Sequence, residues 1–154
     1  MSLRRMEMIK RILVIGLVLT FAGTVLASDE AAEKAAVIKA IEDAYLNGVM
    51  NVGDPDAIKK GFHETFSLKG IREGQMSELK IARWIEIVTK NKADGKYPPE
   101  VMTRFEYPLI DITETTAVVK IKFFRGEKQI YTDYLLLLKF PDGWKITDKI
   151  YVQH

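Results

Sequence analysis

Residues 116–152 read TAVVKIKFFR, GE, KQIYTDYLLLLKF, PDG and WKITDKIYV, and this stretch decides the fold. The three long pieces are rich in Val, Ile, Phe, Tyr and Leu, as strands are. The short pieces between them carry the Gly, Pro and Asp of turns. Connections that short join only antiparallel neighbours. Segment 101–112 precedes them, set off by Thr113-Glu114-Thr115. The reading is therefore a meander of strands at 101–112, 116–125, 129–140 and 144–152.

The turns also set a register. Gly126-Glu127 suits a two-residue turn that pairs Arg125 with Lys128, so that Val119 faces Tyr134. Pro141-Asp142-Gly143 suits a three-residue loop in which Phe140 faces Trp144. Followed outward, the two registers build one apolar face from Ala117, Val119, Ile121, Phe123, Tyr134, Leu136, Trp144, Ile146, Asp148 and Ile150. The opposite face takes Lys120, Asp133, Leu135, Leu137, Lys149 and Tyr151. A slip of one residue exchanges the two faces.

Upstream of the meander the period changes to that of helices. Val37, Ile41, Ala44, Tyr45, Gly48, Val49 and Val52 recur at spacings of three and four, which predicts a helix from Ser28-Asp29 to Gly53. Asp54-Pro55 reads as the cap and first residue of a short second helix carrying Ile58 and Phe62, with His63 at its end. Residues 66–76, with Gly70 and Gly74, read as a hairpin. Ser77 then caps a third helix whose stripe is Ile81, Trp84, Ile85 and Val88.

The first 27 residues read as a signal peptide. A basic stretch through Arg11 leads into the apolar run Ile12–Phe21, and Val25-Leu26-Ala27 suits cleavage before Ser28. That makes 1–27 a leader and 28–154 a single domain, expected in the periplasm or the medium. Outside the leader, 19 basic and 20 acidic residues give a net charge of −1. Such a balance provides no footprint for nucleic acid and no basic patch for a membrane surface after cleavage. The chain has no Cys and two His, so disulfides and an ordinary zinc site are not expected. No phosphate loop or nucleophile elbow is present, and no cofactor or metal is expected.

The order of two helices, a hairpin, a third helix and a meander resembles the nuclear transport factor 2-like superfamily. Local wording is similar to its putative lumazine-binding family: Tyr45-Leu46-Asn47-Gly48, Gly53-Asp54 through Phe62-His63, Thr132-Asp133-Tyr134-Leu135, and Trp144-Lys145-Ile146 with Lys149 and Ile150. The resemblance covers nearly all of residues 30–152. Glu64 stands where the family often has Pro, and Asp148 where Asn is common. It implies an α+β, cystatin-like roll: a cone-shaped, curved antiparallel sheet packed on three N-terminal helices, with a pocket inside. Families of this fold include ketosteroid isomerase and polyketide cyclases as well as domains without chemistry.

His63, Asp148 and Tyr134 are the expected polar lining of that pocket, with Tyr45 and Trp84 as aromatic walls. Asp148 is the one acid that the register assigns to the apolar face, and His63 is the imidazole nearest the cone. Together they are candidates for acid and base. Asp133 reads instead as an exposed acid laddered with Lys120 across from it and Lys149 on the diagonal. Three functions follow: a small-molecule binder with an apolar pocket, an isomerase or dehydratase using His63 and Asp148, or a dimeric interaction module. Leu135 and Leu137 on the outer face point to a homodimer. Binding of a small molecule is the preferred reading.

Overall fold

The chain, described as a computed structural model, is placed over residues 29–154. The expected leader and its junction at Ser28 lie outside the described residues. Two compact units divide at Ala35. In the first, residues 29–35 are helical and hold a Lys34–Glu30 pair at 2.6 Å. The second unit is Ala36–His154.

In the second unit helix α1 covers residues 36–51, and its last ten residues, Glu42–Asn51, are wound as a π-helix. The bond from Val52 N to Asn47 O, five residues back at 2.9 Å, is the mark of that wider winding. It carries Ala44, Tyr45, Gly48, Val49 and Asn51 all into the interior. Asp54 caps α2 (Pro55–Gly61) by accepting from Asp56 N and Ala57 N, as its sequence predicts.

Strand β1 (Phe62–Arg72) and β2 (Gln75–Lys80) precede α3 (Ile81–Ala93). The meander is β3 (Thr103–Thr113), β4 (Thr116–Arg125), β5 (Lys128–Phe140) and β6 (Gly143–Gln153). The six strands among the described residues form one curved, open sheet in the order β2-β1-β6-β5-β4-β3, with β1 parallel to β6 and every other pair antiparallel. The α+β cone expected from the sequence is therefore present. Two local expectations change. His63 lies in β1 rather than at a helix end. Ser77 lies in β2, where its hydroxyl donates to Gly70 O at 3.1 Å instead of capping α3.

The register differs from the expected one at two β-bulges. Between β4 and β5, Phe123 pairs with Tyr131 and Phe124 with Gln129, leaving Ile130 as an extra residue. Val119 consequently faces Leu135, not Tyr134. Between β5 and β6 the turn is Pro141-Asp142, so Phe140 pairs with Gly143. A bulge at Thr147 then separates Leu137↔Ile146 from Leu136↔Asp148. The inner face is thus Ala117, Val119, Ile121 and Phe123 of β4, Asp133, Leu135 and Leu137 of β5, and Trp144, Ile146 and Lys149 of β6, all buried. Tyr134, Leu136, Leu138, Ile150 and Val152 face outward and are exposed.

Val37, Ile41, Ile58, Phe66 and Val88 close the core against that inner face. Asn51 fixes the end of α1 to the start of β3: its amide donates to Thr103 O at 2.9 Å, and Thr103 N donates to its carbonyl at 2.8 Å. Both partners are buried, so neither backbone group of Thr103 is left unpaired.

The register makes a sharp comparison possible. Leu135 is 0% exposed and Leu136 46% exposed, though they are adjacent and identical. Leu135→Ala should cost about 2–5 kcal/mol in urea unfolding, and Leu136→Ala less than about 1 kcal/mol. The reverse order would contradict the bulge at Ile130.

Candidate functional site

The bulge at Thr147 turns Lys149 and Tyr151 to the inner face, which is where the fold holds its cavity. A space of about 160 Å³ lies between the π-wound part of α1, α3 and the sheet. Tyr45, Trp84, Tyr131 and Tyr151 wall it, Leu68 and Met50 contribute apolar surface, and Arg72 and Gln153 stand at its mouth. Arg72, Tyr151 and Gln153 also border a second, larger and equally open space of about 520 Å³ along β1 and β6. Tyr151 occupies its place because of Gly70: a Cβ there would sit 2.5 Å from the tyrosine ring. Any other residue at position 70 would push that wall inward.

Lys149, which lines the cavity, belongs to a buried charge pair whose other member, Asp133, lies behind the wall. Lys149 Nζ lies 2.7 Å from Asp133 Oδ2, with the side chains 5% and 0% exposed. Tyr45 donates its hydroxyl to the same Asp133 oxygen at 2.8 Å, and Lys149 Nζ also contacts the Tyr45 hydroxyl. The ammonium stands over aromatic faces, 4.4 Å from the centroid of Tyr45, 5.6 Å from Tyr151 and 5.8 Å from Trp84. Tyr45 packs edge-on against Trp84 at 5.7 Å, so the cage is braced from behind.

Burial decides the electrostatics here. Desolvation pushes the Lys149 ammonium below the ordinary lysine range, and the Asp133 carboxylate only partly offsets it. Desolvation also pushes the Tyr45 phenol well up, with the Asp133 charge and hydrogen bond adding to it, so Tyr45 stays a donor. Asp133 Oδ1 is buried without a hydrogen-bond partner. The carboxylate therefore keeps an acceptor unused beside the ammonium. Lys149 has three N–H groups and two partners among these residues, which leaves a donor for a guest in the cavity.

Of the residues expected at the pocket, Tyr45 and Trp84 line this cavity, and three do not. Asp148 lies on the outer face, its side chain 42% exposed and paired with Lys69 at 2.8 Å. Tyr134 is exposed on the same outer face, with Lys120 Nζ 5.5 Å from its ring centroid. The bulges at Thr147 and Ile130 moved these two. His63 is at the opposite end of the sheet, stacked on Phe140 at 5.1 Å, its Nδ1 2.8 Å from Thr65 Oγ1. His63 and Asp148 share no site. Asp133 is buried rather than exposed. Its expected partner Lys149 is present, but Lys120 is replaced by Ile121 across the strand. Among the described residues no three His, Asp or Glu side chains gather as a metal site requires.

Tyr131 at the cavity and Asp133 buried beside it depart from the expected register, while Lys149 and Tyr151 are the residues that a one-residue slip in β6 brings into the cavity in place of Asp148. A signal was available for Asp133 and Lys149. Asp133 lies in Thr132-Asp133-Tyr134-Leu135, and Lys149 beside Trp144-Lys145-Ile146, both within the stretches that carry the family resemblance.

The putative lumazine-binding family model matches residues 32–152, and the chain belongs to that family. No curated protein matches it. Among solved structures it is similar to an NTF2-like protein of unknown function from Silicibacter pomeroyi DSS-3. The TM-score there is 0.66 at 18% identity, over 81% of this chain and 98% of that one. An NTF2-like protein of unknown function from Shewanella baltica OS155 gives a TM-score of 0.64 at 22% identity, over 80% and 95%. A structure named as a putative ketosteroid isomerase from Parabacteroides distasonis ATCC 8503 gives 0.52 at 14% identity, over 77% and 85%. At these identities the likenesses show the fold, which is NTF2-like and cystatin-like.

The charge pair should behave as a coupled unit. Asp133→Leu alone leaves a buried cation uncompensated and should cost about 3–5 kcal/mol. Adding Lys149→Met should return most of that loss, since an apolar pair of similar volume is often neutral or stabilising there. Chemical denaturation of both single variants and the double variant checks this. Additive losses would mean that the two side chains do not meet.

Proposed function

We propose that this protein is an exported small-molecule-binding domain whose ligand occupies the cavity at Lys149. One observation carries the reading: a buried lysine, held by Asp133 and Tyr45, lines a cavity walled by aromatic rings. Small-molecule sites are mostly apolar with a few placed polar groups, and this cavity has that composition. Its volume of about 160 Å³ is below the ~300–1,000 Å³ common for drug-sized ligands, so the guest is small. The rings favour a flat molecule, and the spare N–H of Lys149 favours an acceptor oxygen or nitrogen at its inner end. Membership of the putative lumazine-binding family agrees with a ligand-binding role. The name of the Parabacteroides structure raises an isomerase reading, but His63 and Asp148 lie on different parts of the sheet and give it no geometric support.

Export rests on the leader-like residues 1–27. Native mass spectrometry of protein recovered from an exporting host reads both claims together. The expected result is a mature mass beginning at Ser28 with additional non-covalent mass, which Leu68→Trp removes by filling the cavity. An intact leader would overturn export. Added mass unaffected by Leu68→Trp would overturn the site.

A homodimer through the outer sheet face belongs to the same proposal. Leu135 and Leu137, the residues first expected there, are core residues. The exposed apolar side chains of β5 and β6 on that face are Tyr134, Leu136, Leu138, Ile150 and Val152. A solvated sheet face would be mostly polar at those positions. Sedimentation should give twice the monomer mass, and Leu136→Glu with Ile150→Glu should give a folded monomer. A wild-type monomer at high micromolar concentration would overturn it.

A further inference from the structure

Lys149 has a geometry that plain hydrogen bonding to a guest does not need. Its buried side chain lines the cavity, and its Nζ has a carboxylate and a phenol within direct contact. The rings of Tyr45, Trp84 and Tyr151 stand 4.4, 5.8 and 5.6 Å from it, and the side chain is 5% exposed. An amine that only balanced Asp133 could lie behind the wall, as Asp133 does, since Asp133 does not line the cavity. We propose that Lys149 captures a small aromatic aldehyde covalently as a protonated imine, an inference that rests on the cavity being the ligand site.

The step balances with nothing added. The Lys149 ammonium passes a proton to Asp133, 2.7 Å away, and the freed lone pair attacks the carbonyl carbon. The carbonyl oxygen takes up that proton as the carbinolamine forms. Transfer of a second proton from nitrogen to the hydroxyl, by the same carboxylate, expels water as the C=N bond closes. An ammonium and an aldehyde have become a protonated imine and one water. Charge is unchanged throughout, so the buried Asp133 carboxylate remains paired at the end as at the beginning. The Tyr45 hydroxyl holds Asp133 in place during the exchange at 2.8 Å. A desolvated lysine beside a proton acceptor is the arrangement that makes such an amine nucleophilic, and burial lowers the affinity of Lys149 for its proton in the direction required. The aromatic walls and the volume select a single ring over a longer molecule.

The test uses benzaldehyde at sub-stoichiometric concentration with sodium cyanoborohydride, followed by digestion and mass mapping. Exposed lysines such as Lys39 and Lys90 serve as internal references. Lys149 should carry the benzyl adduct at least about ten-fold ahead of either, given its desolvated, base-paired amine. Lys149→Arg and the cavity-filling Leu68→Trp should both remove the excess. Benzyl alcohol, which has the same ring and no carbonyl, separates this claim from the binding reading through ligand-observed NMR on the unmodified protein. If benzyl alcohol enters the cavity and Lys149 is labelled no faster than Lys39 and Lys90, covalent capture is overturned and the binding site stands. If neither probe finds the cavity, both readings fall.

Discussion

The ion pair between Lys149 and Asp133 is the constraint around which the rest of this structure is arranged. Removing two charges from water costs several kcal/mol for each, and only close contact with further hydrogen bonds offsets it. The fold supplies these from three directions: Tyr45 from α1, Asp133 from β5 and Lys149 from β6. The aromatic rings over the ammonium replace part of its lost hydration. A pair so placed fixes the register of β5 on β6, because a slip of one residue would put the two charges on opposite faces of the sheet. It also leaves one acceptor, Asp133 Oδ1, without a partner, a cost that a purely structural core would avoid by using apolar side chains.

The π-winding of α1 is coupled to this site. With wider turns, consecutive residues Ala44 and Tyr45 both face inward, as do Gly48 and Val49. Tyr45 thereby reaches Asp133 while Ala44 packs against Gly61 of α2, where no Cβ could fit, since one would lie 2.3 Å from the alanine methyl. Asn51 and Tyr97 hold the wound segment at its far end, through Thr103 and through the bond from the Tyr97 hydroxyl to Val49 O at 2.7 Å. Irregular helical winding is common where a side chain must be aimed, and here the aimed side chain is a wall of the cavity.

Most of the fold was legible in the sequence because its signals were redundant. Turn residues at 126–127 and 141–143 bounded the strands, and the Asp54-Pro55 cap marked α2. The site was not legible for a specific reason. Residues 135–138 are four leucines, so either alternation gives an apolar face, and β5 cannot report its own register. Two bulges, at Ile130 and Thr147, then settle which leucines are inside. A bulge leaves little trace in composition, since it adds one residue without changing the character of the strand. Asp148 and Lys149 are neighbours, so the shift at Thr147 alone exchanged a carboxylate for an amine in the cavity.

The placement of Lys149 is therefore the claim on which the account stands, and proton NMR of the assigned lysine side chains addresses it directly. With its amine 4.4 and 5.6 Å from the ring centroids of Tyr45 and Tyr151, the Lys149 ε-protons should resonate upfield of those of other lysines and show cross-relaxation to both rings. Ordinary lysine shifts for residue 149, together with cross-relaxation between Asp148 and Tyr45, would contradict the register, the cavity and the function built on them.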